Sequence, residues 1–170
     1  MNILVTGVSG FVGQELIQHL YQMENFSLTV LSRRIVNTLP QEIKQLIGED
    51  IFSLQWSDEI DVVIHLAGRA HILNEQTTDP LSEFRKVNVE GTLQLARQAL
   101  DKKVKRFIFM SSIGVNGSVT SQQPFTEDAL AQPHADYAVS KLEAEQELKK
   151  LFAGSATELV IIRPPLVYAA

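Results

Sequence analysis

The 170 residues are enough for one domain with a real core, and 45% hydrophobic with 21% charged residues is ordinary globular composition. A formal net charge of -5 argues against nucleic acid or an anionic membrane as the main partner, and the absence of cysteine excludes disulfides and thiol catalysis. The first strand is expected from residue 2, leaving no room for a signal peptide, and no apolar run reaches membrane-spanning length, so the chain reads as cytoplasmic.

The apolar run Asn2-Ile3-Leu4-Val5 predicts a buried strand over residues 3–6. Thr6-Gly7-Val8-Ser9-Gly10-Phe11-Val12-Gly13 follows it, and Leu16, Ile17 and Leu20 then mark an amphipathic helix over 11–21. Gly7 permits the tight turn, Gly10 lets the backbone approach a pyrophosphate, and Gly13 allows the helix to pack closely on the strand. The helix N-terminus offers N–H groups and a positive dipole end to phosphates. Strand, glycine turn and helix together predict dinucleotide binding through Gly7, Ser9, Gly10, Phe11, Val12 and Gly13.

The second strand is expected at 28–31, followed by Ser32, Arg33 and Arg34. NAD-binding proteins usually place an acidic residue there, about 20 residues past the glycines, to hold the ribose hydroxyls. No carboxylate is present, and two guanidinium groups stand ready for a 2′-phosphate, which favours NADP(H) with NAD as the alternative. A short turn of helix is expected within 40–47 and a weak strand at 51–54. The strand over 61–66 ends in His65-Leu66-Ala67-Gly68.

A long helix is predicted over 81–100, capped by Asp79 and begun by Pro80, with Phe84, Val87, Gly91, Leu95 and Ala99 near one stripe. Gly91 inside it is unfavourable unless something packs very close. The basic run from Lys102 to Arg106 reads as a solvated helix end. The strand over 106–110 carries Ser111 and Ser112 at its carboxyl end, the edge where open α/β sheets bind ligands. Residues 116–133 form a long surface loop of the kind that often carries function.

A helix over 136–151 places Tyr137 and Lys141 four apart, on one face. A free phenol has a pKa near 10, and a neighbouring ammonium favours the phenolate, which makes Tyr137 a candidate general base or acid. The final strand is expected at 159–162. Strands alternating with helices predict an α/β fold, a doubly wound parallel sheet (Rossmann fold). The histidines at 19, 65, 71 and 134 show no metal-ligand spacing, so no metal site is predicted.

The spacing G-x-x-G-x-x-G with Thr6 ahead and Phe11 inside, the H-L-A-G strand end, Val87-Asn88-Val89-Glu90-Gly91-Thr92, Ser111-Ser112 and Tyr137-x-x-x-Lys141 occur in this order along essentially the whole chain. The set resembles the extended short-chain dehydrogenase/reductase family of nucleotide-sugar epimerases, dehydratases and reductases. The resemblance implies that Ser112, Tyr137 and Lys141 are catalytic, with Lys141 also binding cofactor ribose, and leaves Ser111 as a structural hydrogen-bonder. It places Leu66, Ala67 and Gly68 beside the cofactor's adenosine and pyrophosphate, and makes Asn88 a brace acting through backbone contacts. An adenine-contacting aspartate has only a weak candidate, Asp58.

Where the dehydratase branch has an Asp-Glu pair, Ile113-Gly114 stands here, so dehydration is not expected. The style of the Arg163-Pro164-Pro165-Leu166-Val167-Tyr168 end looks most like UDP-sugar 4-epimerases and UDP-4-keto-sugar reductases of surface-polysaccharide pathways. The implied substrate is a UDP-hexose or UDP-N-acetylhexosamine, acted on by hydride transfer at C4. The chain then reads as the nucleotide-binding domain, residues 1–170, of a longer protein whose C-terminal part holds the substrate. The family also implies a homodimer packed through the 81–100 and 136–151 helices, with Leu142, Ala144 and Leu148 as a compatible outer face, although core packing explains those residues equally well. A non-catalytic NADP(H)-binding module and a reductase of a non-sugar aldehyde or ketone are the competing readings.

Overall fold

Alternation along the first strand divides the core in two. In the computed structural model, which describes residues 1–56, 59–70, 79–120 and 123–168, β1 (Asn2–Thr6) turns Ile3 and Val5 to one face and Leu4 to the other, all buried. On the first face these residues meet Ile17 of α1 (Phe11–Gln22), with Leu28 and Val30 of β2 (Ser27–Ser32) and Val62 and Ile64 of β4 (Val62–His65). On the second face Leu4, Val63, Phe107 and Phe109 pack against Leu95, Ala96, Ala99, Ala144, Leu148 and Phe152. Strands covered on both faces need continuous apolar runs, which is what the sequence supplies.

The remaining elements are β3 (Lys44–Ile47), α2 (Pro80–Arg85), a π-type turn over Lys86–Gly91, α3 (Thr92–Asp101), β5 (Arg106–Met110), a 3-10 turn at Ile113–Val115, α4 (Asp136–Phe152) and β6 (Glu158–Ile162). The sheet is parallel throughout, in the order β3-β2-β1-β4-β5-β6. This is a doubly wound, Rossmann-like α/β fold. The chain order reverses between β1 and β4, and open α/β sheets place their ligands outside the carboxyl ends of the strands at such a point.

Two expectations fail beyond β2. The third strand is Lys44–Ile47, where a turn of helix was expected, and residues 51–53 form a turn where a strand was expected over 51–54. Lys44-Gln45-Leu46-Ile47 lies on a sheet edge and is only half covered, so its apolar signal is weak. Ile51 is apolar because it plugs the second core from a loop, and Phe52 packs beside it.

The expected 81–100 helix exists but changes pitch. Asp79 Oδ1 accepts from the Ser82 N–H at 3.1 Å and Pro80 opens the first turn, as anticipated. The middle widens into the π-type turn that contains Asn88 and Gly91. The Phe52 ring fills the space where a side chain at Gly91 would lie, which explains the glycine.

The basic run after this helix is paired: Lys105 with Asp61 at 2.7 Å and Arg106 with Glu158 at 2.6 Å, while Lys102 lies 5.6 Å from the Trp56 ring centroid. Ala144 and Leu148 are fully buried in the chain's own core and so are not part of an outer apolar face; Leu142 is half-buried.

Candidate active site

The turn after β1 is shaped by main chain. Gly7 has φ of 77°, and a Cβ there would come within 2.5 Å of Ala67 N and 2.6 Å of Leu66 C. A Cβ at Gly13 would overlap the Gly7 carbonyl oxygen and approach Val8 Cα at 2.7 Å. Glycine is therefore required twice, once to join the turn to the segment after β4 and once to seat α1 on β1. Gly10, the extended residue ahead of α1, offers no side-chain acceptor to the helix's first N–H groups. Ser9, Gly10 and Phe11 are exposed around that end and Val12 is half-buried. An open helix end lined by glycine and free of carboxylates can hold a pyrophosphate.

Thr6 and His65 tie this turn to the next strand. Thr6 Oγ1 accepts from the Ala67 N–H at 3.1 Å and lies 2.7 Å from His65 Nδ1, and His65 Nε2 lies 2.8 Å from Thr92 Oγ1. His65 is fully buried, and loss of solvation, with the Lys141 charge adding to it, pushes its pKa down to about 3. A neutral imidazole bridging two hydroxyls thus connects β1, β4 and α3 beneath Leu66-Ala67-Gly68.

Asn88 Oδ1 accepts from the Arg69 N–H at 2.8 Å, and its Nδ2 donates to the Arg69 carbonyl at 3.0 Å and to Ser140 Oγ at 3.0 Å. Ser140 Oγ in turn donates to the Tyr137 carbonyl at 2.7 Å. The amide contacts backbone, as expected, but it also reaches α4 through a side chain. A Cβ at Gly68 would come within 3.2 Å of Asn88 Oδ1 and 3.3 Å of Lys141 Nζ, so the small residue lets this loop lie directly against the lysine.

Lys141 is 3% exposed, and its Nζ donates to the Met110 carbonyl at 2.8 Å, 4.5 Å from the Phe109 ring centroid. Burial lowers its pKa to about 8, with Glu145 opposing the fall. The Tyr137 ring centroid is 5.9 Å from that ammonium, and Phe84 packs against the ring at 6.1 Å. Tyr137 is half-buried, and burial pushes its hydroxyl above the ordinary range. Desolvation is the cause of that rise, and the Lys141 ammonium faces the Tyr137 ring from 5.9 Å.

Ser112 Oγ accepts from the Gly114 N–H at 3.1 Å and opens the 3-10 turn. A Cβ at Gly114 would lie 3.4 Å from both Ser112 Oγ and Ala138 Cβ, which puts the serine turn against the start of α4. Ser111 is buried and donates to Glu145, a structural role. Ser112, Tyr137, Lys141, Gly68 and Asn88 are thus gathered at one edge of the sheet. Arg33 and Arg34 are exposed beyond the end of β2, and Ser32 is buried with its hydroxyl donated to the Arg34 carbonyl at 2.8 Å. Asp58 and His71 lie outside the described residues.

Sequence reasoning missed Glu145 and Arg163 as partners. Arg163 Nε and Nη2 donate to the two Glu145 oxygens at 2.9 and 2.5 Å, with Glu145 1% exposed. The available signal was an acid on the buried stripe that also carries Lys141, Ala144 and Leu148.

The NAD dependent epimerase/dehydratase family matches residues 3–170. The chain belongs to this family. It is 41% identical over 171 residues to a UDP-glucose 4-epimerase of Vibrio cholerae, covering 98% of this chain and 52% of that protein. It superposes with a TM-score of 0.81 and 28% identity on a UDP-glucuronic acid 4-epimerase from Bacillus cereus solved with NAD, over 99% of this chain and 57% of that one. A Thermotoga maritima UDP-glucose 4-epimerase solved with UDP-glucose gives 0.78 and 26%, over 96% and 55%. The chain thus spans about half the length of the relatives it matches. Among the described residues, no cluster of three His, Cys, Asp or Glu could hold a metal ion, and no helix is long and apolar enough to cross a membrane.

Proposed function

We propose that this chain is the dinucleotide-binding part of an enzyme that acts at C4 of a UDP-hexose or UDP-N-acetylhexosamine, as a 4-epimerase or a 4-keto-sugar reductase. The observation that carries the reading is the placement of Lys141, buried at the carboxyl end of β5 between Tyr137 and the Gly68 loop. A nicotinamide bound there would supply the hydride acceptor or donor. Gly7, Gly10 and Gly13, with the first turn of α1, would seat the pyrophosphate, and Leu66, Ala67 and Gly68 would lie along the cofactor.

In this reading Tyr137 moves the proton of the C4 oxygen, and Ser112 hydrogen-bonds that oxygen in line with it. Burial raises the phenol, and Lys141 presents a positive charge near it, which favours the phenolate. A bound oxidised nicotinamide adds a second positive charge, so Tyr137 is an acid toward a carbonyl and becomes a base when that charge is present. Arg33 and Arg34 are exposed where an acid would otherwise hold the ribose, which supports NADP(H) and so favours the reductase.

UDP-glucose and UDP-N-acetylglucosamine deuterated at C4 test the reading when mixed with the full-length enzyme and NAD or NADP. The label is expected on C4 of the epimer or on the reduced dinucleotide. Release of the label to water, or no turnover of either sugar with either dinucleotide, contradicts it.

A further inference from the structure

Glu145 is the most buried acid described, and nothing in the proposed proton transfer uses it. It stands one helical turn beyond Lys141, so Tyr137, Lys141 and Glu145 fall at four-residue intervals on the side of α4 that faces the sheet. Its carboxylate receives three bonds, two from the Arg163 guanidinium at the end of β6 and one from Ser111 Oγ at the end of β5. Arg163 Nη1 continues to Asn116 Oδ1 at 3.3 Å, just past the turn that Ser112 opens. The backbone repeats the connection, because Ser111 N–H donates to the Ile162 carbonyl at 2.7 Å and Ile113 N–H to the Pro164 carbonyl at 3.0 Å.

A buried ion pair of this kind is weak as a source of stability, since desolvating two charges cancels much of their attraction. Its geometric effect is larger. Ser112 lies between a residue bonded to Glu145 and a turn held by Arg163, while Tyr137 and Lys141 ride on the Glu145 helix.

We propose that Glu145, clamped by Arg163, is a positioning residue: it locks the carboxyl ends of β5 and β6 to α4, so that Ser112 and the Tyr137–Lys141 pair keep one relative geometry. This rests on the proposed role of Tyr137 as the proton-transfer group. The titratable and charged groups around Lys141 are His65 from β4, Tyr137 and Glu145 on its own helix, and Arg163 behind Glu145. His65 is neutral, so Glu145 is the negative charge that favours the Lys141 ammonium, and Arg163 partly offsets it. Removing the carboxylate therefore shifts Lys141 toward the amine and raises the Tyr137 hydroxyl in turn.

Glu145→Gln keeps the volume and an acceptor for Ser111 while deleting the charge. In the full-length enzyme turning over UDP-glucose with NAD or NADP, it is expected to lower kcat about tenfold or more with KM within about threefold, and to move the acidic limb of the kcat profile up by roughly one pH unit. If the single variant does not fold, Glu145→Gln/Arg163→Met leaves neither charge buried and is expected to show a smaller shift of the same sign. A folded variant with parental kcat and an unmoved limb overturns the proposal. Tyr137→Phe separates the two ideas: a retained rate there removes the proton-transfer reading and this inference together. An inactive Tyr137→Phe beside a parental Glu145→Gln removes this inference alone.

Discussion

The turn after β1 and the end of β5 open on the same edge of the sheet, yet one is shaped by main chain and the other by side-chain charge. At the first, Gly7 and Gly13 are dictated by backbone atoms less than 3 Å from any added Cβ. At the second, Lys141 and Glu145 are buried and hydrogen-bonded to a carbonyl, a hydroxyl and the partly buried Arg163. A phosphate-binding surface needs close approach of N–H groups, which only a missing side chain permits. Proton transfer needs shifted acidities, which come from burying charge. His65 stands between the two regions, bonded toward the glycine turn through Thr6 and electrostatically coupled to Lys141.

The difference is open to direct attack, and the largest effect is expected in the main-chain region. Gly13→Ala drives a methyl group into the Gly7 carbonyl and Val8, where only backbone movement can relieve it. Urea denaturation should show a loss of about 3 kcal/mol or more, and a loss below about 1 kcal/mol would mean that the turn is not set by this contact.

His65 gives the next largest effect. Its folded-state pKa of about 3 lies below the unfolded value of about 6.5, so the unfolded chain binds more protons between them. Its contribution is present above pH 6.5 and is lost as pH falls toward 3. Roughly 3 kcal/mol should disappear between pH 7 and pH 4. His65→Asn, which does not titrate, should lower stability at pH 7 but flatten that acid limb; parallel limbs would remove His65 from the linkage.

The smallest effect lies at the rim. Arg33→Ala should weaken NADPH about tenfold, near 1.4 kcal/mol, and leave NADH unchanged. Equal losses of both cofactors in a fluorescence titration would show that Arg33 does not read a 2′-phosphate.

The two regions also differ in how far sequence discloses them. A glycine turn is legible because a positive φ and a close approach restrict residue type locally, and Tyr137 and Lys141 are legible because helix geometry makes four-residue spacing a contact. β3 was misplaced because an edge strand covered on one side carries little hydrophobic pattern, while Ile51 and Phe52 carry much of it from a loop. The partners of Glu145 were hidden for another reason. They lie 18 and 34 residues away, so although its place on the buried stripe of α4 marks it as covered, no local pattern names Arg163 and Ser111 as what pairs it.

The proposed division between a region that binds and a region that reacts is tested most directly by Tyr137→Phe in the full-length enzyme, measuring turnover of UDP-glucose and dinucleotide affinity on the same sample. Turnover should fall by at least about a thousandfold while affinity stays within roughly threefold, because in the proposed mechanism the phenolic oxygen moves a proton and the glycine turn seats the cofactor. Retained turnover, or a parallel loss of affinity, would contradict the account.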